Sequence, residues 1–234
     1  MNDLQGFGFV LPHWFYWGWL AVMPLLILFL NKRFGKHSDR APDLSDEVEE
    51  AMAEMAGKDP RDDFAGNRFT RAIDWLSNAS GVFVALWTVN AVVFYFYEVV
   101  MRYVFNMPTI WVHESSYLLF GMQYLLTGAF AHLHGSHVRV DIVYIKLPMR
   151  GRVGMDILTS VFFFIFALAL MGTAWTFMLS SMGMNEISLE TWGIQYWPVK
   201  MMMFIGAVLL FLAGLSKLIK DIMIFREMGK EGRA

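Results

Sequence analysis

The apolar positions of the chain fall in long blocks, with neither the one-sided stripe of a soluble helix nor the alternation of a half-buried strand. Five blocks reach the roughly 20 residues that a helix needs to cross a hydrocarbon core. They are Leu11–Leu30, Trp75–Tyr97, Trp111–Ala131 with a single charge at Glu114, Ile157–Met182, and about Trp197 to Ser216 with a single charge at Lys200. In lipid every backbone amide must be satisfied within its own segment, and no barrel-like alternation is present, so all five are predicted as helices.

Lys and Arg between the blocks set the expected direction, since positive residues gather on the cytoplasmic side. Residues 31–72 carry eight: Lys32, Arg33, Lys36, Arg40, Lys58, Arg61, Arg68 and Arg71. Residues 132–156 carry Arg139, Lys146, Arg150 and Arg152, and the tail carries Lys217, Lys220, Arg226, Lys230 and Arg233. The stretch before Leu11 and the turn after Tyr103 carry none, and residues 180–197 carry only the acids Glu186 and Glu190. The expected topology is five spans, N-terminus outside and C-terminus in the cytoplasm. Trp14, Trp17, Trp19, Trp111, Trp192 and Trp197 are expected in an aromatic belt at the outer interface. The expected organisation is an N-terminal span (1–31), an acidic cytoplasmic linker (32–71), a four-span core (72–222) and a tail (223–234). In the linker, Leu44, Val48, Met52 and Met55 recur at helical spacing and predict a short amphipathic helix ending at Gly57.

Composition sharpens this picture. The 234 residues are 56% hydrophobic, with mean hydropathy +0.43. No cysteine is present, which excludes disulfides, thiolate metal sites and a cysteine nucleophile. The net charge is −2, and no basic patch points to nucleic acid. The first residues lack the positive region of a secretory signal and are expected to be retained. No internal repeat and no interrupted pair of half-helices marks a substrate path of the kind many transporters carry.

Charges inside spans are the natural candidates for function. Glu98 and Arg102 lie four apart, on one helix face. Glu114 follows after a short turn, and Lys200 enters the last block from the same side, so four charges are expected at one membrane level. They fit an internally paired structural or partner-facing cluster, because a path through the membrane would also need ionisable groups at mid-depth. Elsewhere, "AHLHGSHVRVDIVYIKLP" packs His132, His134 and His137 into six residues. On a helix, His132 and His134 point apart and cannot share a metal. Gly135 is expected to end the helix, and the residues after it to form an interfacial arm that stops at Pro148. Gly206, Ala213 and Gly214 are small enough to let neighbouring helices approach closely.

Three stretches, "RYVFNMPTIWVHE", "YLLTGAFAHLHGSHVRVDIVY" and "YWPVKMMMFIGAVLLFLAG", resemble the small membrane subunit of tripartite ATP-independent periplasmic (TRAP) transporters. The matching positions are Arg102, Asn106, Trp111, Glu114, Gly128, Ala129, Gly135, His137, Val138, Val140, Asp141, Trp197 and Pro198. The resemblance implies an all-α integral membrane protein of the bacterial inner membrane, neither an enzyme nor a cofactor carrier. Its partners would be a large membrane subunit, which moves an organic anion with sodium, a periplasmic binding protein, and membrane lipid. The small subunit would scaffold the large one and help dock the binding protein. Relative to the usual four spans, this chain adds one at the N-terminus. The competing reading is a membrane anchor of a haem-containing respiratory enzyme.

Overall fold

A computed structural model describes residues 9–34, 66–135 and 147–231. The expected linker helix around Leu44–Met55 and the interfacial arm after Gly135, with His137 and Asp141, lie outside the described residues. Six helices account for nearly all the rest: α1 (His13–Phe34), α2 (Arg68–Ala85), α3 (Trp87–Tyr103), α4 (Val112–Leu133), α5 (Met149–Gly183) and α6 (Trp197–Glu231). The chain is all-helical among the described residues, with one isolated antiparallel bridge, Ile187 to Gln195.

Four stretches are long and apolar enough to cross a membrane: His13–Arg33, Arg68–Tyr103, Arg150–Gly183 and Trp197–Met228. The second joins α2 and α3 across Leu86, where the Leu86 to Val82 bond is stretched to 3.4 Å and a tight Val89 to Leu86 bond takes over. The expected third span is helical, as α4, but is not among the four. His113, Glu114, Ser115, Ser116, Gln123 and Thr127 lower its hydropathy. Its position accounts for this, since α4 packs against α2, α3 and α6 and buries ten of its 22 residues. The boundary expected at residue 222 falls inside α6.

Helix ends follow local chemistry. Asn67 is extended at the start of α2, and its carbonyl accepts from Arg71 N at 3.0 Å. Pro148 does the same for α5, its carbonyl accepting from Arg152 N at 3.0 Å. At the end of α5, Asn185 takes the left-handed conformation (φ 47), which Asn tolerates. It closes paired bonds, Asn185 N to Met182 O (3.3 Å) and Glu186 N to Ser181 O (3.0 Å), that satisfy the last carbonyls. Gly135 ends α4 as expected, with φ 65 and its N–H on His132 O at 3.3 Å.

The seams rest on small residues. A Cβ on Gly206 would lie 2.5 Å from the Leu125 carbonyl oxygen, so α4 and α6 touch backbone to side-chain-less backbone. Gly214 similarly admits the Phe163 ring of α5. Ala213, between these contacts in sequence, is 4% exposed. At the end of the bundle away from the α3–α4 turn, Lys220 pairs with Asp74 at 2.6 Å and Ser216 Oγ donates to Asp74 at 2.7 Å, tying α6 to α2.

Candidate functional site

The α3–α4 turn, the α5–α6 loop and the start of α1 meet at one end of the bundle, here called the hairpin end. Its centre is aromatic. Trp192, from the loop, lies against His13 and Tyr16 (both centroids at 5.3 Å) and Trp111 (6.3 Å). Trp111 also meets Phe94 at 5.2 Å. Trp111 and Trp192 are 4% and 5% exposed, so they belong to the core and not to the expected interfacial belt. A buried indole needs an acceptor for its N–H. Trp111 Nε1 donates to Phe9 O (2.7 Å) and Trp192 Nε1 to Leu11 O (2.9 Å), carbonyls that precede α1. Trp14, by contrast, is 76% exposed, as a belt residue would be.

Of the four expected charges, the structure brings Glu98 and Arg102 together and separates the others. Arg102 Nε donates to Glu98 Oε1 at 2.8 Å, and the second guanidinium nitrogen shares that oxygen. The other carboxylate oxygen accepts from Thr109 N at 2.9 Å and from the Thr109 hydroxyl. Glu98 therefore closes the α3–α4 turn, in which Asn106 takes the left-handed conformation (φ 53). Lys200 pairs with Glu186 across the α5–α6 loop, not with Glu114. The loop is further held by Ser188 N to Ile194 O (2.7 Å) and Tyr196 N to Glu186 O (3.1 Å).

Among the described residues Glu114 has no cationic partner. It is 2% exposed, and neither of its carboxyl oxygens accepts a hydrogen bond among the described residues. The Ser188 hydroxyl is the hydrogen-bonding group beside that carboxyl, with His13 and the Glu190 carboxylate in its surroundings. His13 Nε2 is engaged with Trp192 O at 3.0 Å. On the next residue, Ser115 O accepts from the fully buried Tyr16 hydroxyl at 2.7 Å. Glu114 is thus roofed by α1 and by the α5–α6 loop.

The remaining signature positions among the described residues stand at helix ends and seams. Trp197 opens α6, with its Nε1 on Gln195 Oε1 at 3.0 Å. Pro198 follows in the first turn, where a missing N–H costs nothing. Ala129 is fully buried, and Gly128 faces Leu210 at 4.0 Å. His132 stacks on Phe163 (4.6 Å) and His134 packs on Phe130 (4.2 Å). Thr109, Tyr16, Glu186 and Asp74 escaped the sequence reading as site residues. Asp74 carried one usable signal, an acid at the very edge of an apolar block.

Paired charges at the ends, apolar span centres and tightly seamed helices define a polytopic helical membrane protein. The model of the DctQ component of the tripartite ATP-independent periplasmic transporters matches residues 91–223. The chain belongs to that family, whose members are small membrane subunits of transporters and not enzymes. The match covers α4 and α5, most of α3 and α6, and leaves α1 and α2 outside it. No curated protein matches the chain.

Proposed function

We propose that the chain is the small permease subunit of a sodium-coupled, binding-protein-dependent secondary transporter for organic anions. In this reading it scaffolds a large transport subunit and helps dock a periplasmic binding protein. It crosses the bacterial inner membrane five times, with α2 and α3 as one span and α4 as the protein-enclosed one. The hairpin end faces outward. The basic residues support that direction: Lys32, Arg33, Arg150, Arg152, Lys217 and Lys220 gather toward the opposite end, as cytoplasmic positive charge does.

The family match carries the reading, and the charge geometry agrees with a scaffold. Glu98, Arg102, Glu186 and Lys200 are consumed in holding two turns, and among the described residues no carboxylate, histidine, lysine or arginine stands at mid-depth to relay an ion. The haem-anchor alternative needs two histidines on facing helices at one depth. His132 and His134 share one helix, and at the hairpin end the Nε2 of His13 is engaged with Trp192 O at 3.0 Å.

The test is gentle solubilisation of the tagged chain from its own membrane. A large multi-span subunit should co-purify, and deleting the chain should abolish binding-protein-dependent uptake. A chain that emerges alone, with uptake surviving its deletion, would sink the proposal.

A further inference from the structure

The outward faces of the bundle are not alike. Along α5 the exposed side chains at mid-depth are apolar, Val161, Phe162, Ile165, Phe166 and Leu168, and the exposed hydroxyls to either side, Thr159 and Thr173, bond back to carbonyls of their own helix. That face suits lipid. Along α4 the outward stripe is Tyr117, Gly121 and Tyr124, spaced by four and three residues and therefore on one helix face. Tyr124 is the thirteenth of 22 residues in α4, roughly 18 Å from its start at ~1.5 Å per residue. It is 80% exposed. Its hydroxyl is too short to reach either interface from there, each roughly 15 Å from the centre of a hydrocarbon core.

Beside it, Gln123 Nε2 donates to Thr88 Oγ1 of α3 at 3.0 Å, while Gln123 Oε1 accepts nothing among the described residues. Thr88 itself is exposed. A phenol and a hydroxyl thus face outward at mid-depth, and the Gln123 amide beneath them is tied to that hydroxyl. In hydrocarbon, polar groups without partners are costly, and they are normally covered by protein. The surface is also open. A Cβ on Gly121 meets nothing within 4 Å, so another helix can come close.

We infer that the α3–α4 face built around Thr88, Gly121, Gln123 and Tyr124 is the seat of a helix from the large membrane subunit, one that presents a hydrogen-bonding side chain at mid-depth. The inference rests on the proposed function, which supplies that partner. The outward face of α5 is left to lipid.

The test uses the tagged chain co-expressed with the large subunit in its own membrane. Gly121→Leu should cut the co-purified large subunit by about ten-fold or more, as overpacking a close helix contact does. Ile165→Trp, on the α5 face, should leave the yield unchanged. A photo-crosslinking residue at position 124 should form an adduct with the large subunit, and one at position 165 should not. If the wild type brings down the large subunit but Gly121→Leu does too and position 124 gives no adduct, the face is wrong while the function stands. Adducts at 165 and not at 124, or an adduct at 124 with a second copy of this chain, also overturn the inference. If the wild type brings down no large subunit, the proposed function itself has failed.

Discussion

Gly206→Ala puts one methyl group into the tightest seam of the bundle. The new Cβ would stand 2.5 Å from Leu125 O and 2.9 Å from Leu125 C, where ordinary contact begins at 3.4 Å. The obstacle is backbone, so no side chain can swing aside. Restoring contact distance needs 3.4 − 2.5 = 0.9 Å of movement between α4 and α6. Such overpacking costs about 1–3 kcal/mol, and a rigid obstacle puts it near the top of that range. Replacing a helical glycine by alanine returns about 1 kcal/mol of propensity. The net is a loss of ~2 kcal/mol, a fall of about 4–8 °C in Tm for a chain of this size. Gly172→Ala is the matched control, because its Cβ meets nothing within 4 Å. It keeps the propensity gain without the clash, and its Tm should hold or rise. Thermal melting in detergent, followed by the fluorescence of the buried Trp111 and Trp192, reads both. If Gly206→Ala melts as high as Gly172→Ala, the seam is not packed on the backbone as described.

Glu98→Ala should destabilise the chain more than Arg102→Ala, by about 2 kcal/mol in melting experiments, because it strands Thr109 N–H as well as the guanidinium, whereas Arg102 is half-exposed and a surface pair is worth ~0–1 kcal/mol; equal losses would refute the turn-closing role. The Lys200 ammonium holds the Glu186 carboxyl below its usual value. A lowered folded-state pKa adds stability that is present above the unfolded value of 4.5 and is lost as pH falls through the folded value. The Tm of the wild type should therefore drop below pH 4.5 more steeply than that of Lys200→Gln, and parallel curves would remove the pair from the account. Trp87→Phe should cost ~1 kcal/mol by removing the indole donor to Leu20 O. In a Pro24→Ala background that cost should shrink, since the restored N–H can reach the same carbonyl; an unchanged cost measured by a double-mutant cycle would break the link.

What the sequence made legible was what local spacing determines. Glu98 and Arg102 meet because four residues bring them to one face. Gly135 ends α4 because a left-handed residue was needed there, and Gly206 permits the close approach its size suggested. Depth in the membrane was also readable, and it placed Lys200 and Glu114 at the same end. Direction around the bundle axis was not. Lys200 turned to Glu186, fourteen residues back across a loop, and Glu114 turned inward under α1. The tryptophans failed in the same way. An interfacial indole and a core indole occupy the same place in a hydropathy profile. Only the carbonyls that receive them tell them apart, and for Trp111 and Trp192 those lie 102 and 181 residues away. The low apolarity of α4 was visible, but that it followed from enclosure by three other helices was not.

Those carbonyls explain how the added helix is held. Within a helix each carbonyl accepts from the N–H four residues on, which leaves open the carbonyls ahead of the N-cap and any carbonyl opposite a proline. The core supplies donors at both places. Phe9 O and Leu11 O, ahead of α1, receive Trp111 and Trp192. Leu20 O would normally accept from residue 24, but Pro24 has no N–H, and Trp87 Nε1 fills the gap at 2.8 Å. Tyr16 returns one bond to Ser115 O, and Trp19 another to Asn90 Oδ1 at 2.8 Å. Each donor fits a carbonyl that α1 alone leaves open, so the bonds fix the register and rotation of α1 as well as its attachment. A helix held only by apolar contact could slide or turn at little cost in lipid, where tails pack as well as leucines do. Trp111 and Trp192 lie within the residues shared with the DctQ family and Trp87 just before them. The N-terminal helix is therefore built onto the family core through side chains of that core, and it covers Glu114 from the side that the α5–α6 loop leaves open.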